Sequence, residues 1–198
     1  MTLKTRRPSY HHGDARNALL RAAGELLETT GAAGLSLRQV AEKAGLSRQA
    51  PYNHFADKET LLAELVRDGF ARLGQDMEAA GGEDVAPIKR LERAGECYIA
   101  FAQGSPALFR LMFSKELVDL SRHHEARAAS STSFGALSRI VGALVPPQDV
   151  ADISLVAWSL VHGYATLCIE GGLEGPEQRH ARAALFAKTL DMGRGNAT

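Results

Sequence analysis

Between Ala15 and Leu27 the apolar residues Ala15, Ala18, Leu19, Ala22, Ala23, Leu26 and Leu27 recur at the spacing of a helix with one continuous apolar face. A chain that opens this way must bury that stripe against other helices, because no alternating strand pattern follows to cover it. The spacing predicts a helix over 14–30, with Asp14 as its cap and Gly31 and Gly34 ending it. Leu37, Val40, Ala41 and Ala44 mark a short second helix, Gly45 breaks it, and a third starts after Ser47. Leu61, Leu62, Leu65, Val66, Phe70 and Leu73 stripe a fourth that begins near Asp57. Further helices are expected over 87–103, 106–113, 121–144, 149–171 and 176–192, with a glycine-rich acidic break at 81–84. Ser105-Pro106 is a start signal, a capping serine before proline at the first helical position. The expected fold class is all-α, a compact N-terminal three-helix unit over residues 1–58 feeding a larger helical body over 59–198.

The formal net charge is zero, yet it is unevenly spread. Residues 1–58 carry nine Lys/Arg against five Asp/Glu, whereas residues 59–198 carry fourteen against eighteen. A basic module on an acidic body is the asymmetry of a chain that meets phosphates at one end. Cys97 and Cys168 lie far apart in apolar stretches with no metal-ligand spacing, so both are expected to be buried free thiols in a reducing cytoplasm. Lys4, Arg6 and Arg7 are followed by polar residues instead of an apolar run, which is not the pattern of a signal peptide.

The segment 36–55 carries the chemistry. Ser36 and Gln39 have capping-box spacing, Gly45 permits the positive φ that closes a helix, and Ser47 is placed to cap the next one. Two short helices joined by a glycine-containing turn make a helix-turn-helix. Arg48, Gln49, Tyr52 and Asn53 are exposed hydrogen-bonding groups, and no acid occurs between Ser47 and Ala56. Such side chains read base edges and grip phosphates. Lys58 falls in a first helical turn, where the helix dipole disfavours a cation unless a phosphate lies nearby.

From Tyr10 to Leu73 the chain resembles the DNA-binding domain of the TetR family of transcriptional regulators. The resemblance is carried by Leu26-Leu27-Glu28, by Gly34 to Ala41, by Ala44-Gly45-Leu46-Ser47, and by Tyr52 to Glu59. It implies a homodimer that places its third helix in the major groove of double-stranded, palindromic operator DNA. Carried over residue by residue, Ser36, Tyr52, His54 and Lys58 hold phosphates, while Arg48, Gln49, Ala50 and Asn53 approach bases. The basic arm, residues 1–13, would lie over the adjacent groove or backbone. One position departs from the family's pattern. An aliphatic residue is usual where this chain has Pro51, whose missing N–H removes the first α-helical bond, to the Ser47 carbonyl.

In the body, Trp158-Ser-Leu-Val-His162-Gly163 resembles the tryptophan–histidine–glycine signature of one C-terminal class within the same family, and Ser105 to Phe113 resembles another common segment. The class implies a dimer interface and a small-molecule effector pocket. Trp158 and His162 share a helix face, with Tyr98, Phe109, Met112 and Phe113 as expected companions. The alternative for His162 is a core histidine packed on Trp158 and satisfied by a backbone carbonyl. Residues 153–169 contain thirteen nonpolar residues in seventeen and no charge. That is short for a membrane span, so the helix is expected to be covered by its own body on one side and by a second protomer on the other, with no membrane partner.

No nucleophile elbow, phosphate-binding glycine loop, HExxH or paired catalytic carboxylates occur, so neither enzymatic activity nor a cofactor is expected. His123-His124-Glu125 reads as a solvated face, since neighbours on a helix point about 100° apart. The expected activity is that of a cytoplasmic repressor released from its operator by a small molecule. The alternative is a constitutive DNA-binding or recruiting regulator without an effector.

Overall fold

The computed structural model describes residues 12–80, 85–173 and 178–192. Among them the regular elements are all helical: α1 His12–Gly34, α2 Leu37–Lys43, α3 Lys58–Ala79, α4 Pro87–Gly104, α5 Pro106–Met112, α6 His124–Gly142, α7 Val150–Ile169 and α8 Arg179–Met192, with 3₁₀ turns at Ala50–Asn53 and Pro147–Asp149. The basic arm through residue 11, the break expected at 81–84 and the Pro176 start of the last helix lie outside the described residues.

α1 is already helical at His12, so Asp14 stands inside the helix instead of capping it. Its regular geometry is interrupted at Gly31, which takes φ 69°. Leu19, Ala23 and Leu27 of its apolar face are buried against Leu37, Val40 and Phe55 and against Leu61 and Val66 of α3. The apolar core then continues without interruption along α3, through Phe70, Leu73 and Met77, into Tyr98, Phe109 and Val161 of the body. α3 is therefore shared by both ends, packing on α1 at its start and on α4 and α6 further along.

Two contacts tie the ends together more specifically. Glu28, near the end of α1, accepts from the backbone N–H groups of Ala107 and Leu108 at 3.0 Å each. This carboxylate supplies the N-terminal cap of α5 that was expected from Ser105; Pro106 does hold the first helical position. The Ser105 hydroxyl instead accepts from Arg72 at 3.0 Å. Glu64 of α3 pairs with Arg16 of α1 at 2.6 Å and with Arg67 at 2.7 Å, and Arg67 reaches Glu125 of α6 at 3.2 Å.

α6 starts three residues later than its apolar pattern suggests. The Asp119 carboxylate accepts both the N–H (3.0 Å) and the hydroxyl (2.8 Å) of Ser121, a local turn that competes with helix there.

Candidate nucleic-acid interface and ligand cavity

α2 begins as its sequence requires, with Ser36 Oγ accepting from Gln39 N–H at 3.3 Å. The reciprocal half of a capping box is replaced by a side-chain bond, the Ser36 hydroxyl donating to Gln39 Oε1 at 2.6 Å. Gly45 adopts φ 68°, and Leu46 N–H returns to Ala41 C=O at 2.9 Å, closing α2 by the glycine-dependent motif.

The element that follows is a 3₁₀ turn, not the α-helix expected after Ser47. Ala50 N–H bonds Ser47 C=O at 2.9 Å and Tyr52 N–H bonds Gln49 C=O at 3.2 Å, both three residues apart. Pro51 is the physical reason: with no N–H it cannot make the four-residue bond to Ser47, and the shorter pattern takes over. Only after Pro51 does a four-residue bond return, Phe55 N–H to Pro51 C=O at 2.8 Å. Pro51 and Phe55 are buried and anchor the turn.

This geometry exposes Arg48, Gln49, Tyr52 and Asn53 together and leaves Ala50 and His54 half-buried beside them. Tyr52 is 55% exposed. Ser36 is exposed at the start of α2. Lys58 opens α3, and its ammonium donates to Ala33 C=O at the end of α1, 3.3 Å away, leaving two further donors. The Asp57 side chain caps α3 by accepting from Thr60 N–H at 2.7 Å, and the Thr60 backbone and hydroxyl bonds hold its carboxyl below the usual range.

In the body a cavity of about 730 Å³ opens between α3, α4, α6, α7 and α8. Tyr98, Met112, Phe113 and Trp158 line it, as do Phe70, Phe134, Phe186 and Ser133, which the sequence did not single out. The missed residues lie on α3, α6 and α8, and no spacing rule links positions on different helices. Phe109 and His162 stand behind this wall. His162 stacks on Phe109 (5.3 Å between ring centres) and meets Phe113 edge-on (4.5 Å).

A hydrogen-bonded chain joins the wall to His162. Trp158 Nε1–H donates to the Tyr98 hydroxyl at 3.1 Å, and Tyr98 Oη lies 2.8 Å from His162 Nδ1. The indole can only donate, so the Tyr98 oxygen accepts from Trp158 and shares a second hydrogen bond with His162 Nδ1. Burial pushes the Tyr98 hydroxyl far above its ordinary value and lowers His162, so both are neutral near pH 7. His162 is thus satisfied by a phenol, where a core histidine held by a backbone carbonyl was the alternative.

The segment between α5 and α6 also touches both regions. Lys115, Val118, Asp119 and Leu120 line the cavity. Two and three residues past Leu120, Arg122 and His123 each lie 3.1 Å from the Glu59 carboxylate in the first turn of α3. Glu125 is taken by Arg67, so the His123-His124-Glu125 run is divided between two ion pairs, and no metal-binding cluster occurs among the described residues.

Residues 91–192 match the family described as tetracyclin repressor-like, C-terminal domain, and residues 19–65 match bacterial regulatory proteins of the tetR family. The chain belongs to the TetR family of transcriptional regulators. A structure of a protein of unknown function from Rhodococcus sp. RHA1 is 32% identical, with a TM-score of 0.79 over 94% of this chain and 98% of that one. A TetR-family regulator from Mesorhizobium loti shares the fold at 18% identity (TM-score 0.72, 92% and 97% covered). The nucleoid occlusion factor SlmA of Aliivibrio fischeri is 31% identical over 108 residues, 52% of this chain and 53% of that protein. The transcriptional repressor AcnR of Corynebacterium efficiens is 32% identical over 68 residues, 34% and 36% of the two chains. The match to these curated relatives thus spans about half their length or less.

Proposed function

We propose that this TetR-family regulator is a homodimeric repressor that reads a palindromic operator through its 3₁₀ turn and leaves it when a small molecule enters the body cavity. The observation that carries the reading is the shared segment between α5 and α6: one end lines the cavity and the other grips the first turn of α3, next to Lys58. Residues 1–58 would act as the DNA-reading unit and 59–198 as the sensing and dimerising one. Within the reading unit, Ser36, Tyr52, His54 and Lys58 hold phosphates, and Arg48, Gln49, Ala50 and Asn53 meet base edges. An effector needs only a different affinity for the DNA-matched and unmatched dimer geometries, with α3 as the lever between them.

Dimerisation is supported by α7. It is the one described helix long and apolar enough by composition to cross a membrane. Its outer face carries Leu155 (52% exposed), Val156 (45%) and Leu167 (52%), beside Leu185 (47%) of α8. A second copy of the same face covers these side chains by two-fold symmetry and matches the symmetry of a palindrome.

The test is selection of bound duplexes from random DNA with purified protein at fixed salt, followed by anisotropy titrations of the recovered sequence. Recovered palindromes, a Kd that weakens steeply with salt, and loss of preference in Arg48→Ala are expected. Binding that is weak, salt-insensitive and equal on all duplexes would remove the DNA-reading assignment. The likeness to a nucleoid occlusion factor supports a second reading, a constitutive DNA-bound recruiter. Operator binding indifferent to every molecule that fills the cavity would decide for it.

A further inference from the structure

The cavity wall has an uneven composition. The chain has one Trp, four Tyr and seven Phe, and six of these twelve rings line this single space. They already meet one another edge to face across it: Phe70 and Phe113 at 5.5 Å and 88°, Phe134 and Trp158 at 6.0 Å and 77°. A wall of ring faces and edges is complementary to a flat aromatic guest, which extends the same edge-to-face pattern.

Charge is nearly absent from the wall. Among its described lining residues the charged side chains are Lys115 and Asp119, one of each sign, so the wall carries no net charge. The Asp119 carboxylate is further occupied by the N–H and hydroxyl of Ser121. The Tyr98 hydroxyl is committed on both sides, to Trp158 and to His162. A charged ligand would therefore lose its hydration and meet a charge of its own sign beside the opposite one. What the wall does offer is a short hydroxyl band on α6, where Ser130 and Ser133 fall one turn apart on the face that also presents Phe134 and Leu137. Hydroxyls pair with a neutral oxygen function as donor or acceptor.

We infer that the cavity takes a neutral, predominantly aromatic molecule bearing one hydroxyl or carbonyl group, its rings between Phe113, Phe134 and Trp158 and its oxygen at Ser130 and Ser133. This rests on the sensing reading of the same cavity. It makes a narrower claim about what is sensed, and excludes fatty acids, quaternary amines and phosphorylated metabolites. The volume of about 730 Å³ suits a guest of two to four fused or linked rings.

Trp158 is the only tryptophan and stands in this wall, so a probe seated here lies next to the single donor and takes its emission most completely. Two probes of one skeleton separate the charge requirement: neutral N-phenyl-1-naphthylamine and its sulfonated analogue 1-anilinonaphthalene-8-sulfonate. The full-length protein should bind the neutral probe at least about ten-fold more tightly, with transfer from Trp158. 2-Naphthol should displace it at lower concentration than 1-decanol, which has the same carbon count. Phe134→Lys puts a cation in the wall at a position that is 38% exposed, and should move the preference toward the sulfonate. Ser131→Lys does the same from an exposed position of α6 that also lines the cavity, should the first variant misfold. Equal or tighter binding of the sulfonate overturns the neutral guest, and decanol matching naphthol overturns the aromatic one. Failure of the neutral probe to draw energy from Trp158 overturns both. Operator release is read separately by anisotropy. A neutral probe that binds without releasing DNA counts against the sensing reading alone, whereas release by the sulfonate counts against this inference alone.

Discussion

Replacing Pro51 by valine is the substitution that bears most directly on how the head reads DNA. Valine keeps most of the buried volume and restores an N–H that can reach Ser47 C=O, now bonded to Ala50 N–H at 2.9 Å. Stability should change little. A recovered backbone bond is worth about 0.5–1.5 kcal/mol, and the unfolded-state entropy returned by losing proline costs about 0.4–1 kcal/mol. The register changes more. From Ala50 to Asn53 a 3₁₀ turn advances about 6.0 Å and a full 360°, and an α-helix about 4.5 Å and 300°. Conversion would therefore move the Asn53 side chain by about 1.5 Å along the axis and about 60° around it. A hydrogen bond to a base edge does not survive that displacement, and breaking one bidentate pair with a base removes about 1–3 kcal/mol of discrimination. Duplex selection with wild type and Pro51→Val, at the same salt, should yield consensus sequences that differ at the pairs facing Asn53. The salt slope should stay the same, because it counts phosphate contacts. An identical consensus and Kd for the two proteins would refute the claim that proline sets the register.

Further outcomes follow from the packing and the hydrogen bonds. Glu28→Ala strips two N–H groups at the start of α5 of their acceptor and should cost about 1 kcal/mol, a drop in Tm of about 2–4 °C for a chain of this size; an unchanged melt would mean solvent replaces the carboxylate fully. Gly74→Ala puts a Cβ 3.1 Å from the Ser133 backbone at the α3–α6 crossing. The overpacking cost of about 1–3 kcal/mol should exceed the roughly 1 kcal/mol helix gain, whereas Gly24→Ala in α1, with nothing within 4 Å, should stabilise; denaturant titration of both variants checks the contrast. Burial lowers His162 below its ordinary 6.5, so the unfolded chain binds the extra proton first. The stability that neutral His162 contributes is present above about pH 6.5 and is lost as pH falls toward its folded value. Urea midpoints at pH 7.5 and 5.5 should differ less in His162→Gln than in wild type, and equal differences would show that other groups carry the slope.

Much of the fold was legible in the chain because helices announce themselves locally. The stripe from Ala15 to Leu27, the Ser36–Gln39 cap and the glycine at 45 each depend on residues within one or two turns, and each appears in the structure where the spacing puts it. The turn after Ser47 was also a local matter. Pro51 announced a missing bond, although the chain alone did not say whether the helix would bend, restart or tighten. The structure shows it tightening, with Pro51 and Phe55 buried beneath the 3₁₀ turn. The cap of α5 shows the opposite limit: Ser105-Pro106 carries a start signal, but the acceptor is Glu28, almost eighty residues earlier in the chain. The cavity wall is the same kind of case. Tyr98 and Trp158 could be named from helix faces, but Phe70, Phe134 and Phe186 join them only when α3, α6 and α8 are brought together. By itself the sequence determined which segments are helical, where the turn after Ser47 lies and that proline distorts it, since those follow from bonds between near neighbours. Only the tertiary structure decided which distant side chains meet, because closing long loops to place a carboxylate on α5 or six rings around one space is a property of the whole packed core.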